Sequence, residues 1–169
     1  MNTKYSRMRI YLHWLSAIVI IWATFSGFYI FLGKPSADTK ALISFINVSL
    51  TTCFIPFFIL RVFYSLKHPS PPVAAAQQKT HKMAKRVHIV LYANISAVLI
   101  TGVLMMDRAI NVFNLFSIPA PFSNPVITHF FHSVHIFSCT TLALLVVMHI
   151  LAVVKHQFSG HGIMHRMLP

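Results

Sequence analysis

Apolar residues in this chain gather into long stretches that carry no charge. Residues 10–33, bounded by Arg9 and Lys34, contain no Asp, Glu, Lys or Arg, and the same holds for residues 41–60, 87–106 and 109–154. A bilayer core of about 30 Å needs roughly 20 apolar residues per helix, so each window is long enough to cross one. Pro119, Pro121 and Pro125 break the first half of the last window and confine its helix to about 128–154. The pattern predicts an all-α membrane protein, a four-helix transmembrane bundle with spans at about 10–32, 41–65, 87–106 and 128–154. Residues 67–86, opening on Pro69-Ser-Pro-Pro72, read as an irregular solvated linker, and a short amphipathic turn is expected around Val112–Ile118. No repeat and no second domain is visible, so residues 1–169 are expected to form one unit. The first window exceeds the apolar region of a signal peptide and no A-x-A site follows it, so it is expected to stay in the mature chain.

Composition agrees. Of 169 residues, 56% are hydrophobic and 9% charged, and mean hydropathy is +0.69. A soluble domain carries roughly a quarter charged residues, and disordered chains are poor in aromatics, so both classes are excluded. Cys53 and Cys139 form no metal or covalent-haem motif and read as core residues.

Asp38 and Asp107 stand against fourteen Lys and Arg, a net charge of +12. In a soluble protein that balance would suggest nucleic acid; here the basic residues flank the spans, where they set topology and meet lipid head groups, and no nucleic-acid partner is expected. Lys4, Arg7, Arg9, Arg61, Lys67, Lys79, Lys82, Lys85, Arg86, Lys155 and Arg166 share one side, against Lys34, Lys40 and Arg108 on the other. The positive-inside rule then expects both termini in the cytoplasm.

Eleven histidines are the main functional signal. Ionisable groups within a bilayer are rare and mark function. His135 and His149 both fall in the fourth span, fourteen residues apart. That is about 21 Å along the helix and about 40° short of four full turns, so both leave one face, one near each membrane surface. His13 lies in the first span at about the depth of His149, and His88 opens the third. Two imidazoles from facing helices at one depth suit a low-spin b-type haem, which needs only axial nitrogens and an apolar slot. Zinc fits less well, since no carboxylate lies in any span. A lone intramembrane histidine often does no more than hydrogen-bond across helices; the shared face and matched depth set His13, His135 and His149 apart. His68, His81, His161 and His165 fall in loop and tail and read as solvated.

Several motifs together resemble the bacterial cytochrome b561 family, small four-helix inner-membrane proteins with two b haems. They are Lys4-Tyr-Ser-Arg7 with Ile10-Tyr-Leu-His-Trp14, Arg61 with Lys67-His-Pro-Ser-Pro-Pro72, His88 with Gly102-Val-Leu-Met-Met106, His135 with His149, and the ending His165-Arg-Met-Leu-Pro169. The resemblance implies that His13 and His149 ligate an inner haem b. It also implies that His135 ligates an outer haem, whose second-helix ligand falls on Asn47. An amide is a poor ligand for haem iron. Three arrangements stay open: no outer haem; a five-coordinate haem on His135, with Asn47 bonding a sixth ligand; or replacement by Met105 or Met106, or by His129 or His132 after a shift. For those last four, packing or solvation is the simpler reading.

By the same resemblance, His88 and His156 would meet haem propionates or ubiquinone, and Arg61, Lys155 and Arg86 would pair with propionates; head-group anchoring is an equal reading for the basic residues. Tyr11 and Trp14 read as interfacial anchors. The resemblance implies an oxidoreductase of the superoxide:ubiquinone type in a bacterial inner membrane, passing electrons between a quinone and a one-electron partner. Steering of superoxide by Lys34, Lys40 and Arg108 is weak, because Asp38 and Asp107 offset two of them. The alternatives are a haem-bearing anchor for a partner subunit, and a non-redox scaffold derived from a cytochrome.

Overall fold

The computed structural model describes residues 6–67 and 78–159. Readings that rest on Lys4, His68, Pro69–Pro72, His161, His165 or Arg166 lie outside the described residues.

Four helices carry the fold: α1 (Arg7–Gly33), α2 (Ala37–Lys67), α3 (Gln78–Leu104) and α4 (Pro125–Phe158). Each is long and apolar enough to cross a membrane. The α1–α2 turn is short because Lys34 takes a left-handed conformation, φ 44°, and Pro35 follows it. Ser36 then opens α2, its hydroxyl accepting from the Thr39 N–H at 3.3 Å. At the other entry, Asn124 accepts from the Val126 N–H at 2.9 Å, with Pro125 in the first turn. Helix α3 starts earlier than the charge-free window suggests. Its first turns carry Lys79, Lys82, Lys85 and Arg86, so that part of the expected linker is helical. Long aliphatic stems on the basic residues support a helix there, and the charged heads need only reach the interface.

Large apolar side chains face outward as well as into the core. The buried polar residues are small hydroxyls, Ser16, Ser26, Ser49, Thr101, Thr128 and Ser138, while Phe25, Leu32, Phe63, Leu66 and Phe137 point outward. Lipid is as apolar as leucine, so helices gain by close approach through small residues and leave large apolar ones to the acyl chains. Several of these hydroxyls donate to carbonyls of their own helices, as in Ser16 to the Leu12 carbonyl at 2.6 Å and Thr101 to the Ala97 carbonyl at 2.6 Å. Cys53 faces outward from α2, which corrects its reading as a core residue; Cys139 is half-buried. A thiol is apolar enough for either solvent here, so composition could not separate the two.

Helices pair as α1 with α2 and α3 with α4, and α2 meets α3 more lightly. One mid-bundle cluster joins all four: Val19, Phe54, Phe58, Leu91, Ile95 and Leu142. The chain ends of the bundle gather Arg9, Arg61 and Lys155 and are called the basic end below.

The opposite end is closed by an antiparallel hairpin, β1 (Ile110–Val112) and β2 (Phe116–Ile118), where a short amphipathic turn was expected. Its turn puts Phe113 and Asn114 at positive φ, 48° and 59°, closed by Leu115 N–H to the Val112 carbonyl at 2.9 Å. A bulky residue at positive φ is held only when its surroundings over-determine it. Here the fully buried Ser49 of α2 accepts from Phe113 N–H at 3.0 Å and donates to the Asn111 carbonyl at 3.2 Å. Ile110 and Val112 are correspondingly buried. Ser49→Ala is expected to loosen the hairpin by about 1–3 kcal/mol. Faster hydrogen exchange at the Phe113 amide, with helix amides unchanged, would be the signature.

Candidate functional site

At the basic end each helix contributes one or two functional side chains. His13 comes from the second turn of α1, Arg61 from the end of α2, His88 and Tyr92 from α3, and His149 from α4. His13 has Arg61, His149 and His88 as its electrostatic neighbours. A guanidinium nitrogen of Arg61 lies 3.1 Å from His13 Nδ1. The guanidinium carbon sits 5.2 Å from the centroid of the Tyr92 ring, a cation–π contact. His88 stacks on the other neighbour in this series, its ring 6.4 Å from Tyr92 at 24°. His88 and His149 meet at 5.4 Å, tilted by 54°. Trp14 stands edge-on to His13 at 5.8 Å. The result is a contiguous set of rings and one cation, Trp14, His13, Arg61, Tyr92, His88 and His149, built from all four helices.

Tautomers follow from chemistry. Arginine can only donate, so His13 Nδ1 is the acceptor in this bond and its proton sits on Nε2.

The sequence model of prokaryotic cytochrome b561 matches residues 4–169. The chain belongs to this family. It is a membrane b-type cytochrome of electron transfer, and the family implies haem b as its cofactor.

The donor set at the basic end suits that group. His13 and His149 supply imidazoles from separate helices, Arg61 supplies a cation for a propionate, and the walls are apolar. No three or more His, Cys, Asp or Glu converge as for a zinc-type centre among the described residues. His156 lies two turns past His149, half-buried in the last turn of α4.

The hairpin end is built differently. His135 Nδ1 lies 3.1 Å from the Val98 carbonyl and 3.2 Å from Thr101 Oγ1. A carbonyl only accepts, so Nδ1 carries the proton and Nε2 has the lone pair. Cys139 Sγ, one turn along, lies 3.4 Å from Nε2 and donates to it. The ring fits because position 102 is glycine: a Cβ there would stand 3.2 Å from His135 Cε1. Asn47, on α2, is turned to α1 instead, its Oδ1 accepting from Ser26 Oγ at 2.8 Å. This pair does not fit a bis-imidazole haem, since one of its two positions is an amide already engaged elsewhere. His129 and His132 are exposed at the start of α4 with rings 6.5 Å apart. Met105 and Met106 are half-buried at the end of α3.

Tyr92, Cys139 and Ser26 escaped the sequence reading. Tyr92 follows His88 by four and Cys139 follows His135 by four, a spacing that places each pair on one helix face and could have found both. Ser26 has no such signal. Asn94 of α3 is also unanticipated: its Oδ1 is buried with no hydrogen-bond partner.

Proposed function

We propose that this cytochrome exchanges electrons between a quinone and a one-electron partner through a single haem b held by His13 and His149. The convergence of His13, Arg61, His88 and His149 from four helices at one end carries the reading. Asp38 and Asp107, the only side-chain carboxylates, lie away from it at the hairpin end. Bound haem b supplies a reversible one-electron iron couple.

The chain's own residues do the rest. His13 of α1 and His149 of α4 would supply the two imidazoles that hold the haem. On their hairpin side, Val19, Phe54, Phe58 and Leu142 pack into one apolar cluster that excludes water. Quinone reduction takes up protons with its electrons, and His88, ring to ring with His149, is the group beside the ligands able to hold one. The positive-inside rule puts this end in the cytoplasm of a bacterial inner membrane, since Arg7, Arg9, Arg61, Lys67, Lys82, Lys85, Arg86 and Lys155 gather there.

A partner at the hairpin end, superoxide included, would face a gap of about 21 Å between the His135 and His149 levels. Asn47 removes the imidazole pair that would bridge it. Both redox partners are therefore assigned to the basic end.

The test is a pyridine haemochrome assay on the full chain in mild detergent, with quinol-reduced-minus-oxidised spectra. About one low-spin haem per chain, reducible by quinol, is the expected result. Two haems would overturn the single-haem assignment, and none would overturn the cytochrome reading for this chain.

A further inference from the structure

We infer that the β1–β2 hairpin is a lipid-immersed element, with Leu115 and Phe116 standing among the acyl chains of the leaflet at the hairpin end, beside the outer face of α2. The placement does not depend on the haem reading. Where the hairpin docks decides what surrounds it. Its anchor is Ser49, which accepts from Phe113 N–H at 3.0 Å and donates to the Asn111 carbonyl at 3.2 Å. Steps of three or four residues stay on one helix face, and the stripe running on from Ser49 is Cys53, Phe57 and Leu60, all of them exposed. Phe54 and Phe58, which enter the core cluster shared by all four helices, lie instead about 140° and 180° round α2 from Ser49. The hairpin therefore covers the side of α2 turned from the core, where it continues a stripe that faces lipid.

Depth agrees with the choice of face. Lys40 is the last charged residue of α2 before its apolar run, and Ser49 lies about 14 Å further along the helix axis. Hydrocarbon offers no hydrogen bonds, so irregular backbone persists at such a depth only where protein satisfies it. In the hairpin turn three successive amides meet that demand. Phe113 N–H has Ser49, Asn114 N–H has Asn111 Oδ1 at 2.8 Å, and Leu115 N–H has the Val112 carbonyl at 2.9 Å. The Asn111 amide nitrogen also donates to Asn114 Oδ1 at 2.7 Å, so the two polar side chains of the turn close on each other. A turn in water could leave all of these groups to solvent. The positive φ of Phe113 serves the same end, because its amide reaches Ser49 while its ring stands edge-on to Phe45 at 6.2 Å. Leu115 and Phe116 are left pointing outward, 81% and 55% exposed. Water disfavours that surface, and acyl chains along the α2 stripe suit it.

The test places a nitroxide at Leu115→Cys in the full chain carrying Cys53→Ala and Cys139→Ala, reconstituted in phosphatidylcholine–phosphatidylglycerol nanodiscs. Collisions with oxygen, which enters lipid, are compared with collisions with a nickel chelate, which stays in water. Phe116→Cys repeats the measurement, Phe57→Cys is the lipid reference and Asp107→Cys the surface reference. Nickel collisions at 115 and 116 are expected to be at least about tenfold rarer than at 107, with oxygen collisions as frequent as at 57, because hydrocarbon excludes a polar chelate. Nickel access equal to that at 107 would place the hairpin in water and overturn the inference. Exclusion of both reagents would overturn it as well, since a second copy or another protein would then cover the patch. Hydrogen exchange of the unsubstituted chain in the same nanodiscs guards against a variant that unfolds the hairpin. The amides of 113–115 are expected to exchange as slowly as the α2 amides beside them, and exchange at the rate of free loop amides would overturn the inference by itself.

Discussion

His149→Ala is expected to abolish the Soret band of the purified protein, while His135→Ala leaves the band at wild-type intensity. Loss of an outer-shell partner of a metal ligand typically costs 10–100-fold in affinity, and removal of an axial imidazole should exceed that. The two histidines share one helix and one face, so the pair is an internal control for damage to α4. At the basic end His88 meets His149 ring to ring, but from α3 rather than from α4, and His156 stands two turns further along α4. At the hairpin end, His135 is spent on Val98, Thr101 and Cys139. Equal loss in both variants would mean that α4 needs its full polar complement to fold. Loss only in His135→Ala would put the haem at the wrong end and overturn the assignment.

The helices were legible because lipid makes such a simple demand: a run of charge-free residues long enough to cross, ended by cations. Even so, Gln78–Arg86 joined α3 and the prolines at 119–125 gave way to a helix beginning at Pro125 itself. Basic residues are good helix formers and proline is welcome in a first turn, so charge and proline mark span limits better than helix limits. The pairing of depths was legible as well, from fourteen residues at a fixed rise and turn. What was not legible is where each ring points within its depth. His13 meets Arg61, and His149 meets His88, because the azimuth of a side chain depends on helix packing that single-chain periodicity does not contain. The hairpin was hidden for a related reason. Phe-Asn is not a strong turn signal, and Phe113 holds positive φ through Ser49, some sixty residues earlier in the chain. The Asn47–Ser26 bond is equally non-local.

Asn47→His is expected to raise haem content from about one to about two per chain, the largest gain of function a single substitution offers here. Asn47 lies on α2 at the hairpin end, where the proposed reading expects a missing second-helix ligand, and Ser26 holds its side chain against α1. Removing the amide frees Ser26 at little cost, since that hydroxyl also bonds the Trp22 carbonyl of its own helix at 2.7 Å. On the facing side, His135 already has the tautomer that iron requires, with Nδ1–H fixed on a carbonyl and Nε2 bearing the lone pair. Only the thiol of Cys139 stands on that lone pair, and a thiol is a weak donor. Cys139→Ala in the Asn47→His background should therefore tighten the second haem further, whereas Cys139→Ala alone should change haem content by nothing. The opposing element is the hairpin, whose Ile110 and Val112 are packed against α2 beside this level. A stoichiometry that stays at one in Asn47→His, with His149 still required, would mean that the plug rather than the missing imidazole keeps the second site shut. A second haem that appears but is high-spin would mean that the new imidazole is present and out of reach of the iron.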